Sequence, residues 1–176
     1  MSNGPPSASL LARLSRLDAA LSERIALRPG PWRTLALVAA HSGDSPLWLA
    51  AAAAVLLWAP PAWHPFGLRT LTAHLLGGLT AGLLKWVFRR KRPGGPDAFL
   101  YTRLDHLAFP SGHATRTACM TVLLAPVVPA WATALMTLWA IGVALARVAL
   151  KVHYLSDVLA GLALGCCTGV CLLGLL

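Results

Sequence analysis

The sequence predicts an all-α fold: a polytopic transmembrane helix bundle of about five spanning helices, preceded by an amphipathic helix lying on the membrane surface. Three observations lead to this. Of the 176 residues, 57% are hydrophobic and only 12% are charged, against about 25% charged in ordinary soluble domains. The positive excess, 15 Lys and Arg over 6 Asp and Glu, lies between apolar runs, as membrane-flanking charge does. Several of those runs are long enough to cross hydrocarbon.

Residues 1–9 (MSNGPPSAS) are polar or rich in Gly and Pro, and are expected to be disordered. No cleavable signal pattern is visible. Over residues 10–28, Leu10, Leu14, Leu17, Leu21 and Ile25 recur at helical spacing, with Arg13, Arg16, Arg24 and Arg28 interleaved. Asp18 and Glu23 add mixed charge. This pattern suits the headgroup region better than a span. Pro29-Gly30-Pro31 ends it, so residues 1–32 precede a membrane domain at 33–176.

The first crossing is expected at 33–59, kinked at His41-Ser42-Gly43-Asp44-Ser45-Pro46 by local side-chain caps. Pro60-Pro61 stops it. Further spans are expected at 66–89, 112–128, 131–150 and 155–176, with 90–111 the long connection. Gly78 and Gly82 on one span, and Gly161, Gly165 and Gly169 on another, are four apart. Small residues at that spacing let helix backbones approach closely in lipid. The same stripes turn Asp157 and Lys85 into the bundle. Cys119, Cys166, Cys167 and Cys171 lie in apolar runs with no CxxC pair, so they are expected to pack between helices.

Ionisable groups within a membrane protein default to functional hypotheses, and here they gather. Lys85 and Arg89 to Arg92 end one span, and Ser111, Gly112 and His113 open the next. Arg147 and Lys151 end another, and His153 and Asp157 open the last. In an antiparallel bundle all four places share one membrane face. Lys85 and Arg92, two helical turns apart, are expected on one helix side, with Arg147 as a third cation. The helix start at Pro110-Ser111-Gly112 offers free N–H groups to an anion. Such a set suits a phosphate group. Asp157 can fix one nitrogen of His153 and leave the other to attack, while His113 can act as general acid. Cations around both histidines disfavour a metal.

Lys85-x6-Arg92-Pro93, Pro110-Ser111-Gly112-His113 and Arg147-x5-His153-x3-Asp157 together resemble the three-part signature of the type 2 phosphatidic acid phosphatase superfamily, which also holds the vanadium haloperoxidases. The signature spans 85–157, and the helical pattern extends the likeness to about 33–176. The resemblance implies that Lys85, Arg92 and Arg147 hold phosphate oxygens, helped by Ser111 and the Gly112 backbone. It implies that His153 attacks phosphorus to form a phosphohistidine, that Asp157 orients it, and that His113 protonates the departing alkoxide and then activates water. No metal or other cofactor is implied. Ala146 stands where the family usually has Ser, which removes a secondary phosphate contact.

Other polar residues read more plainly. Arg89, Arg90 and Lys91 are expected to anchor at headgroups, and Arg116 either lines the site or does the same. His74 is expected to be hydrogen-bonded inside the bundle, and Asp97, Asp105 and His106 to lie in a solvated loop.

The expected activity is hydrolysis of a phosphate monoester or diphosphate on a membrane lipid: a polyprenyl carrier, phosphatidic acid or phosphatidylglycerol phosphate. Phosphoryl transfer to another acceptor, or anionic-lipid binding without catalysis, are the alternatives. The partners expected are the lipid substrate and the bilayer, not nucleic acid, since no basic stripe lies on a soluble module. Twelve arginines against three lysines, with abundant alanine, fit a GC-rich bacterial gene and a bacterial plasma membrane. The side the site faces, the lipid and the oligomeric state stay open.

Overall fold

The computed structural model describes residues 10–94 and 106–175. The expected disordered start, and Asp97 and Asp105 of the long connection, lie outside the described residues. Among the described residues, helices account for every regular element except one isolated antiparallel bridge between Lys91 and Leu107. They are α1 (Leu10–Ile25), α2 (Pro31–Ser42), α3 (Ser45–Trp58), a short 3-10 turn (Pro61–Trp63), α4 (His64–Phe88), α5 (Gly112–Leu124), α6 (Ala130–Ala149) and α7 (Leu155–Leu173). Prolines mark four of the starts: Pro31, Pro46 and Pro65 in the first turns of α2, α3 and α4, and Pro129 before α6. Their missing N–H costs nothing there.

Three described segments are long and apolar enough to cross a membrane: Pro61–Phe88, Ala130–Ala149 and Leu155–Leu173. Ser45–Trp58 is a shorter apolar helix. Length and composition thus account for three of the five expected crossings. The segment expected as one kinked span is two helices with different neighbours, α2 against α6 and α3 against α4. The third expected span, α5, has only 13 residues, ten of them buried among other helices. Shielded from lipid, it carries Thr115, Thr117 and Thr121, each bonding a carbonyl of its own helix.

The tightest packing joins α5 to α7. A Cβ at Gly161 would stand 2.6 Å from Ser111 O, one at Gly169 2.8 Å from Val122 Cβ, and one at Gly165 would collide with Thr115 O. The stripe brings backbone against backbone. Gly165→Ala is therefore expected to destabilise by about 1–3 kcal/mol, the usual cost of overpacking. Gly142→Ala, with nothing within 4 Å of its Cβ position, is expected to be neutral or stabilising. Thermal unfolding in detergent compares the two, and equal melting temperatures would contradict the packing.

On α4 the buried row is Ala73, Gly77, Ala81 and Lys85, not the expected Gly78 and Gly82. Gly77 meets Cys119 of α5 at 3.4 Å, while Gly82 has nothing within 4 Å. The row is turned by one residue, and Gly78 instead faces the Arg116 side chain, 3.6 Å from its Cβ position to Arg116 Cδ. His74 is buried, its Nδ1 3.0 Å from Thr70 O. Cys119 is in the core, but Cys166, Cys167 and Cys171 face outward.

α1 turns its leucines away from the bundle, with Leu10, Leu11, Leu14, Leu17 and Leu21 all exposed. Its polar face is docked. Ser22 Oγ accepts the Leu155 N–H at 2.8 Å, Asp18 Oδ1 accepts the Ser156 N–H at 3.0 Å, and Lys151 donates to Glu23. The Ser22 and Asp18 bonds cap the first turn of α7, where a helix has N–H groups to satisfy.

Candidate active site

The site is built where α4 and α6 end and α5 and α7 begin. α4 stops at Phe88 because Arg89 adopts left-handed geometry, φ 47 and ψ 31, with its N–H on Lys85 O at 2.9 Å. Beyond it, the Ala108 N–H bonds Arg90 O at 2.7 Å. Lys85 and Arg92 therefore do not share a helix, contrary to the expectation. Lys85 is buried in the last turn of α4. Arg92 reaches the site from the segment just after α4, its Nη1 3.1 Å from both Val152 O and His153 Nε2.

His153 lies in the turn between α6 and α7, only 1% exposed. Arg147 O shapes that turn by accepting the N–H groups of Val152 and His153 at 3.1 and 3.2 Å. His153 Nδ1 is 3.6 Å from Asp157 Oδ2, too long for a hydrogen bond. The carboxylate is engaged elsewhere. Oδ2 accepts the Tyr154 N–H and Oδ1 accepts Arg90 Nη1, both at 2.8 Å. Burial, and then the charges of Arg92, Arg147 and Lys85, hold the imidazole well below the usual histidine range. A ring held there is neutral and keeps a lone pair. With Nδ1 facing the carboxylate, the lone pair belongs to Nε2.

Arg147 is fully buried, and its charge reaches both His153 and His113. Ser111 precedes α5 without capping it; its backbone N–H bonds Asp157 O at 2.9 Å. Its buried Oγ has no hydrogen-bond partner among the described residues, an arrangement uncommon in folded proteins. Gly112 lies under the Arg116 guanidinium, 3.1 Å from its Cβ position to Nη1. His113 sits one residue further along, Nε2 on Asp44 Oδ1 at 2.7 Å and Nδ1 3.5 Å from Arg116 Nη2. Beside these residues is a cleft of about 560 Å³ bordered by Gly78, Gly82, Lys85, Arg89, Gly112 and Arg116. His106 also borders it.

Three residues that sequence reading placed elsewhere belong here. Arg90, expected as a headgroup anchor, bridges Asp157 at 2.8 Å and Asp18 at 2.6 Å, with its guanidinium 4.1 Å from the Tyr154 ring centre. Burial raises the Asp18 carboxyl, but bonds from Ser156 and Arg90 outweigh it and leave the group below its usual range. Asp44, expected as part of a kink, holds His113 and also meets His41 Nδ1 at 2.8 Å. The one available signal for Asp44 was an acidic residue inside an apolar segment.

The chain belongs to the PAP2 superfamily, whose family model matches residues 66–175. Its relatives include the decaprenylphosphoryl-5-phosphoribose phosphatase of Mycolicibacterium smegmatis, 37% identical over 81% of this chain and 77% of that one. The Mycobacterium tuberculosis (H37Rv) protein of the same name is 36% identical over 61% of this chain and 57% of its own length. The transmembrane PAP2 type phosphatidylglycerolphosphate phosphatase of Bacillus subtilis superposes with a TM-score of 0.70 at 27% identity, covering 93% of this chain and 86% of that one. Aquifex aeolicus LpxE shares the fold, with a TM-score of 0.70 at 19% identity over 90% of this chain and 95% of its own. The chain is a membrane protein and a phosphatase acting on lipid.

Proposed function

We propose that this phosphatase removes the terminal phosphate monoester from a polyprenylphosphoryl-linked phosphosugar through a phosphohistidine at His153. The observation that carries the mechanism is His153 itself: buried, neutral, with Nε2 turned toward Arg92 and three cations about it. Lys85, Arg92 and Arg147 hold the phosphate oxygens, with Ser111 Oγ and the first N–H groups of α5 as further donors. Nε2 attacks phosphorus, the bond to the leaving oxygen breaks, and that oxygen takes a proton from His113. Water then gives a proton back to His113 and attacks phosphorus. The P–N bond breaks and its electron pair returns to His153. Asp157 fixes the turn that carries His153 and offsets the charge on its ring.

The names of the mycobacterial relatives support the lipid class: a polyprenyl chain, a phosphodiester and a sugar phosphate. Such a substrate carries a second phosphorus beyond the one removed. Arg116, against His113, and Arg89 border the cleft on the leaving-group side, where that second anion would lie. Phosphate release is to be compared between a polyprenylphosphoryl phosphosugar and phosphatidic acid. Arg116→Gln is expected to raise KM on the order of 10-fold for the first, the worth of one charged hydrogen bond, and less than about 3-fold for the second. Equal losses would place Arg116 at the cleaved phosphate instead. A wild-type preference for phosphatidic acid would remove the polyprenyl assignment.

The outward leucines and interleaved arginines of α1 fit a helix resting among headgroups. With its mycobacterial relatives and its apolar helices, the chain is assigned to the bacterial plasma membrane as a multi-pass protein, with α3, α4, α6 and α7 and the shielded α5 carrying it from face to face.

A further inference from the structure

We propose that Asp44 is the positioning residue for His113, holding its Nε2 so that Nδ1 alone carries out the acid–base work. This rests on His113 serving as the acid and base of the reaction proposed above. Asp44 begins α3, and a helix-starting Asp ordinarily bonds the free N–H groups of its own first turn. Here its side chain makes no such bond. Pro46 in that turn has no N–H to offer. The carboxylate turns away, across 69 residues of sequence, to His113 at 2.7 Å, with His41 on its other oxygen at 2.8 Å.

The backbone that presents Asp44 is fixed. A Cβ on Gly43 would stand 2.9 Å from Val143 Cγ1 and 3.3 Å from Thr117 Cγ2, so the break between α2 and α3 is packed against α5 and α6. Two indoles bind Ser42 beside it, Trp48 to its carbonyl at 2.7 Å and Trp139 to its hydroxyl at 2.8 Å. What the sequence presents as a kink is a rigid mount for one carboxylate.

An ionised carboxylate only accepts hydrogen bonds, so Nε2 of His113 carries a proton in every state. The exchangeable proton is then on Nδ1, which faces Arg116. In the first half-reaction Nδ1–H passes its proton to the leaving oxygen as the P–O bond breaks. In the second, Nδ1 takes a proton from water as the water oxygen bonds phosphorus. Asp44 stays ionised throughout and stabilises the imidazolium whenever Nδ1 is protonated. The pair repeats, on the acid side, the charge support that Asp157 gives His153.

The test is Asp44→Asn assayed with two phosphate monoesters, a lipid alkyl phosphate and a 4-nitrophenyl phosphate. A good leaving group departs without a proton. For the alkyl ester kcat is expected to fall on the order of 10- to 100-fold with little change in KM, within the ~10²–10⁴ that general acid–base catalysis supplies. First-turnover release of 4-nitrophenolate is expected to stay within about 3-fold of wild type, which also shows that the variant is folded. The phosphoenzyme then accumulates, because water activation still needs Nδ1. Unchanged alkyl turnover, or equal loss of alkyl turnover and first-turnover nitrophenolate release, overturns the proposal. If His113→Asn loses alkyl turnover while Asp44→Asn keeps it, the role of His113 stands and that of Asp44 falls. If both keep it, the acid–base reading of His113 fails as well.

Discussion

His153→Ala is expected to abolish phosphate release, with a loss on the order of 10⁴-fold or more, while the protein still folds. Removing a nucleophile leaves only the binding and electrostatic part of catalysis, and in comparable hydrolases the cost reaches about 10⁶-fold. Lys85, Arg92 and Arg147 stay in place in the variant, so substrate affinity is expected to hold. The direct readout is rapid quench with a radiolabelled lipid phosphate. The wild type should trap an acid-labile, base-stable phosphate on the peptide containing His153, and the variant should trap none. If the variant kept a tenth of wild-type turnover, or carried the same label, His153 would not be the nucleophile.

Arg90→Gln is expected to give the largest loss of stability among single changes near the site. Arg90 is the bond between two carboxylates, one of them fully buried; the side chains of Arg90, Asp18 and Asp157 are 28%, 13% and 0% exposed. Removing one partner from a buried ion pair costs about 3–5 kcal/mol, because the other charge remains. With Arg90 partly exposed, the lower end applies, about 3 kcal/mol, on the order of 10 °C in melting temperature for a chain of this size. Activity is expected to fall with it, since Asp157 loses one of the bonds that set its carboxylate beside His153. Adding Asp18→Asn should recover part of the stability, because it removes one of the stranded charges. Arg13→Gln, on the same face of the membrane but exposed, should stay within about 0.5 kcal/mol. Superimposable melting curves for Arg90→Gln and wild type would contradict this account.

The helices were legible in the sequence because lipid forces long apolar runs and because proline and glycine punctuate them. His113, His153, Asp157, Lys85 and Arg147 were legible as one cluster, since charges stranded at consecutive helix ends must meet on one face. Arg92 was legible as a member but not in its placement. α4 ends through a left-handed arginine, and nothing local marks Arg89 for a conformation that glycine usually takes. The packed row on α4 was read one residue out, because two glycines four apart do not say which way a helix is rotated. Asp44 and Asp18 were missed as parts of the site. Each makes its decisive bond across 69 or 138 residues, and neither apolar periodicity nor a local motif encodes such a distance.

The glycine stripe of α7 has a consequence for how this enzyme could change its substrate. His113 lies in the first turn of α5 and His153 in the turn that leads into α7, and these two helices are held at main-chain contact. That side of the site is an inflexible wall: any enlargement there would separate His113 from His153. The facing side, where Gly82 of α4 borders the cleft with nothing within 4 Å of its Cβ position, is permissive, and a side chain can be added there without moving His113 or His153. Selectivity for one lipid headgroup over another is therefore free to drift on α4 while the chemistry on α5 and α7 stays fixed.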